Sequence, residues 1–131
     1  MKIAVLITRS LLGLVFLVFG LNFFFHFIPM QQGAMPARAA TFTGGLMSTG
    51  YFFQYMKVIE IASGFFLLIN KYTAFFLLIL YPITVNIFLF HTILEPSGIV
   101  MGVALILIHS FLGFAYRKYY VQIFTMSPTV E

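Results

Sequence analysis

In the stretch YMKVIEIASG, Lys57 and Glu60 stand three residues apart inside an apolar run, and Arg9 interrupts another such run near the start of the chain. A carboxylate near two cations can be a fixed ion pair or an acid that exchanges a proton, depending on whether the cations reach it. Lys57 and Glu60, at i and i+3, can touch on one helix. Arg9 can approach the same acid from a neighbouring helix. The favoured expectation is a shared Arg9–Glu60–Lys57 cluster. Behind it stand a local Lys57–Glu60 pair with Arg9 reaching toward lipid head groups, and partners in another subunit.

A second set of polar side chains follows a 3–4 spacing. Tyr81, Thr84, His91 and Glu95, with Phe88 filling the gap, are expected on one helix face. A stripe ending in a His–Glu pair can act as an acid/base or proton-relay surface, or as polar glue between helices. Pro82 has no backbone donor, so it should bend this helix or free the carbonyl of Leu78. The three histidines, His26, His91 and His109, fall on three different apolar runs. His26 and His91 are expected near one membrane face and His109 near the other, which disfavours a three-histidine metal site and a paired-histidine haem. The structural reading of His26 is preferred, and no metal site is assigned. Phosphate-binding loops, zinc-protease motifs and nucleophile elbows are absent, and no catalytic residue is assigned.

The elements that position these groups follow from composition. Of 131 residues, 62% are hydrophobic and 8% charged, with eighteen phenylalanines. A water-soluble domain is about one-quarter charged, so lipid is the natural solvent for this surface. The seven Lys and Arg against three acidic residues never cluster beyond Arg117–Lys118. They read as topology signals rather than a nucleic-acid footprint. With no cysteine, the chain has no disulfide and no thiol nucleophile.

Four apolar runs, approximately 3–28, 51–69, 72–94 and 98–116, are expected to span a membrane as helices. The expected architecture is an all-α, single-domain four-helix bundle with up-down antiparallel topology and an outer loop at 30–50, whose MPARAATF portion could make a short interfacial helix. The first run has the basic start of a signal peptide but no clear cleavage site, so it is read as a retained span. A β-barrel would need at least about eight strands of alternating polarity, and these runs are longer and do not alternate. Lys2, Lys71, Arg117 and Lys118 gather on one side, against Arg38 and Glu95 on the other, which places both termini in the cytoplasm. Gly13 and Gly20 on the first run, Gly64 on the second, and the Gly98–Gly102 pair on the fourth suit close helix packing.

Three segments together resemble the DoxX family of small four-helix membrane proteins. They are RSLLGLVFLVFGLNFF with its early arginine, KVIEIASGFFLLINKY with its in-membrane glutamate and glycine, and, more loosely, YPITVNIFLFH. The family takes its name from subunits of a thiosulfate:quinone oxidoreductase, and other members look like partners in redox-linked membrane complexes. The resemblance implies an accessory or partner-binding subunit in a plasma or inner membrane, surrounded by lipid and with a protein partner or a second copy of itself. An oxidoreductase component binding a quinone at Arg9, Lys57 and Glu60 or at His91 is the alternative. A small transporter or proton pathway ranks third. Whether the chain catalyses anything is left open.

Overall fold

The computed structural model describes residues 1–30 and 34–131; residues 31–33 of the expected 30–50 loop lie outside the described residues. The fold is all-α. Helix α1 spans Lys2–Phe25, α2 Ala37–Ser48, α3 Phe52–Leu68, α4 Thr73–Leu89 and α5 Ile99–Ala115. A π-helical turn, Phe90–Leu94, continues α4, and short 3₁₀ turns cover Pro96–Gly98, Arg117–Tyr119 and Val121–Phe124.

Each boundary has a local cause. The end of α1 comes three residues earlier than its apolar run, because His26 turns left-handed at φ 52°. Asn22 seals that end by accepting the N–H of Ile28 on its side-chain oxygen at 2.7 Å. Thr49 accepts the N–H of Phe52 at 3.2 Å, satisfying a donor at the start of α3. Between α3 and α4, Asn70 and Tyr72 both adopt left-handed conformations, at φ 54° and 52°. Thr73 ties that reversal by donating to the Asn70 side chain at 2.7 Å.

The four-helix expectation needs correction, since five α-helices are present among the described residues. The additional helix, α2, occupies twelve residues of the outer loop. It takes in most of the MPARAATF portion where a short helix is expected and runs on to Ser48; it is too short and mixed to span, and Ala37, Ala39 and Ala40 following Pro36 favour a helix.

Among the described residues, three helical stretches are long and apolar enough to cross a membrane: Lys2–Phe25, Thr73–Leu94 and Pro96–Ala115, of 24, 22 and 20 residues. The second expected span is the 17-residue α3, about 25 Å at the helical rise, and it carries both Lys57 and Glu60. Broad apolar faces stay uncovered, with Ile3, Ile7 and Leu14 on α1, Phe75 on α4, and Val100 and Leu107 on α5. An uncovered apolar surface this extensive suits a lipid environment.

A small core of Leu12, Phe16, Leu67, Leu77, Leu80, Leu105 and Leu112 joins α1, α3, α4 and α5. Helices α1 and α3 pack at their glycines: Gly13 lies against Gly64, and Gly20 against Lys57 and Ile61. Ascending positions on α1 therefore meet descending positions on α3, so this pair is antiparallel. The same holds for α4 and α5, where Leu77 meets His109 and His91 meets Gly98.

Candidate functional site

The two sets of polar residues marked in the sequence are used separately in the structure. Lys57 Nζ donates to Glu60 Oε2 at 3.0 Å, the one salt bridge among the described residues. Glu60 is 2% exposed. The pair sits where Gly20 brings α1 close, since the Lys57 carbonyl and Ile61 both lie against that glycine. The carboxyl oxygen thus has its partner on its own helix, one turn away.

Arg9 does not join them. Its Nη1 reaches the hydroxyl of Tyr116 at 3.4 Å, linking α1 to the end of α5. The shared three-residue cluster favoured from the sequence is therefore replaced by two separate arrangements. The physical reason is depth: Arg9 lies one turn before Gly13, which opposes Gly64, and Glu60 lies one turn before Gly64 on a helix running the other way. Arg9 is 8% exposed, and its Nε has no hydrogen-bond partner.

Along α4, the expected polar face divides. Thr84 is fully buried and meets His109 Nδ1 at 2.8 Å, while His109 Nε2 lies 2.8 Å from the carbonyl oxygen of Leu77. A carbonyl can only accept, so Nε2 carries the hydrogen, and the neutral ring accepts the Thr84 hydroxyl proton at Nδ1. His109 thereby pins α5 to α4 with both nitrogens in use. The bond to α4 lands on Leu77, one residue before the carbonyl that Pro82 deprives of its donor.

His91 and Glu95 do not form a side-chain acid/base pair. His91 lies in the π-helical turn, where the N–H of Glu95 reaches back five residues to Phe90 O at 2.8 Å. The wider turn rotates the side chains away from the 3–4 line. His91 Nδ1 then meets the backbone carbonyl of Glu95 at 3.1 Å, and the Glu95 carboxylate instead accepts from Ser97 at 2.8 Å. The imidazole covers Gly98, and the His91 Cβ lies against Gly102, so the two glycines make room for this side chain. Among the described residues, no three His, Cys, Asp or Glu side chains come together as a metal-binding group.

A cleft of about 430 Å³ opens beside this network, between α4, α5 and the two 3₁₀ turns that follow. Leu77, Leu78, Ile123 and Phe124 make much of its wall apolar, and Arg117 stands on its lining. Tyr81 and Ser110 place their hydroxyls 3.0 Å apart there, and the Tyr81 ring meets the His109 ring edge-on with centroids 4.9 Å apart. Between them the two hydroxyls have two protons, and their mutual bond uses one. One O–H is thus left to offer a bound acceptor. Ser110 was not singled out by spacing, and His109 was set aside with the metal question. Their i,i+1 placement opposite Tyr81 and Thr84 is visible only once α5 is docked on α4. Gly113 lines the same cleft with open space where a side chain would begin.

The chain has no match among family models, curated proteins or solved structures.

Proposed function

We propose that this chain is a four-span integral membrane protein of DoxX-like type, resident in a cell membrane with both termini on the cytoplasmic side. Its role is that of an accessory subunit that holds a lipid-soluble, quinone-like ring compound for a redox partner in the same membrane. The single observation that carries the ligand reading is the apolar cleft on α4 and α5 with one spare hydroxyl proton from the Tyr81–Ser110 pair. A mostly apolar concavity with a few convergent polar groups is the usual form of a small-molecule site. Tyr81 and Ser110 would hold a ring carbonyl, and His109, with both nitrogens engaged, fixes the Tyr81 ring. A bound quinone would supply two-electron redox chemistry. The chain's own residues bind and orient it.

Glu60 and His91, the alternative quinone contacts suggested by the sequence, are less well suited. Glu60 is held by Lys57, His91 faces a backbone carbonyl, and neither lines this cleft. The fourth span is α3. Its part-buried Lys57–Glu60 pair lowers the cost of carrying charge through lipid, because neither group faces the acyl chains alone.

Decylubiquinone titrated into the purified protein in lipid nanodiscs tests the ligand reading. Saturable binding is expected, and Gly113→Leu should weaken it about tenfold or more by filling the cleft, with the melting temperature little changed. Equal binding by the wild type and Gly113→Leu would reject the site.

A further inference from the structure

A second cleft, of about 500 Å³, lies between the start of α1 and the end of α5. Lys2, Arg9 and Lys118 line it together with Tyr116 and Tyr119. None of the chain's three acidic residues does, so no carboxylate neutralises these cations locally. Arg9 is the telling member. It is more than nine-tenths buried, yet of its five N–H donors the structure engages one, in a long bond to Tyr116, and its Nε has no partner. A buried guanidinium with unused donors beside two lysines is a site shaped for an oxyanion, and guanidinium favours phosphate through paired, parallel hydrogen bonds.

We propose that this cleft binds the phosphate of an anionic membrane phospholipid. Beside it, Ile3, Leu6 and Ile7 leave the flank of α1 apolar and uncovered, a track along which an acyl chain can descend while the head group stays with Arg9. A free phosphate ion would use only the cations and leave that track bare. The cleft lies at the end of the bundle that carries Lys2, Lys118 and the tyrosines, where basic pockets meet negatively charged lipid. Tyr116 stays with Arg9 as its orienting partner. Lys2 and Lys118, both exposed, attract the head group from outside. This site shares none of its lining residues with the Tyr81–Ser110 cleft, and it rests on the membrane-spanning reading alone.

Native mass spectrometry of the full chain released from nanodiscs of mixed phosphatidylglycerol and phosphatidylcholine tests it. Phosphatidylglycerol should be retained preferentially. Lys2→Gln with Lys118→Gln should reduce that preference by about fivefold per lysine, or about twenty-five-fold together. Helical content and melting should stay as in the wild type, because both side chains are exposed. Equal retention of the two lipids, or an unchanged preference in the double variant, would overturn the proposal. Displacement of phosphatidylglycerol by inorganic phosphate at millimolar concentration would overturn the lipid assignment in favour of the free ion. Failure of the chain to reach membranes at all would be seen before any lipid is measured, and would count against the four-span reading instead.

Discussion

Gly64→Ala is expected to loosen α1 from α3 and to destabilise the protein by about 3 kcal/mol, the upper part of the range for overpacking. A methyl group on Gly64 would stand 2.6 Å from the carbonyl oxygen of Gly13, 2.6 Å from the backbone nitrogen of Leu17 and 3.0 Å from its Cα. All three are backbone atoms, so no rotamer change can make room, and the helices must separate. Alanine favours a helix over glycine by about 1 kcal/mol, and that gain works against the clash without cancelling it. Gly113→Ala is the matched control: its new methyl meets open space, so only the propensity gain remains. Thermal melting in detergent should fall for the first variant and hold or rise for the second. A Gly64→Ala protein that melts with the wild type would show that close backbone approach does not hold this pair.

Lys57→Met should be the most damaging change to a charged residue, at about 3 kcal/mol. It leaves the Glu60 carboxylate buried without its cation, and breaking a buried pair from one side costs several kcal/mol. The figure is kept at the low end because the Lys57 side chain is 20% exposed, so water already screens part of the attraction. Glu60→Gln keeps the shape of the acid and leaves a partly exposed ammonium, so about 1 kcal/mol is expected. The double variant Lys57→Met/Glu60→Gln should then recover most of the loss of the first. A double-mutant cycle measures this directly. Additive losses would mean that the two groups do not depend on one another.

Much of this fold is legible in the sequence because lipid demands it. A chain with so few charges, divided by Pro29, the Asn70–Lys71 turn and Pro96, can satisfy its backbone in an apolar solvent through long helices. The Lys57–Glu60 contact is likewise local, set by helical spacing. What the sequence hides depends on rotation and depth between helices. Arg9 takes Tyr116 from the far end of the chain rather than Glu60, since the register fixed at Gly13 and Gly64 carries the arginine past the acid. His91 and Glu95 share a helical period, but a single π-helical turn breaks it. Spacing rules assume the α-helical rise and cannot foresee such a turn. His109, with Ser110 beside it, sits in an otherwise apolar run of the sequence. Its partners, Thr84 and the carbonyl of Leu77, lie 25 and 32 residues away.

Whether α3 crosses the membrane as a fourth span can be read chemically, because the chain has no cysteine of its own. Single-cysteine variants Ser48→Cys, at the end of α2, and Ser127→Cys, in the exposed tail, can be treated with a membrane-impermeant maleimide on intact cells and again after permeabilisation. Four spans predict that Ser48→Cys is labelled on intact cells and Ser127→Cys only after permeabilisation. Labelling of both on intact cells would leave an odd number of crossings between the termini, and would contradict α3 as a span.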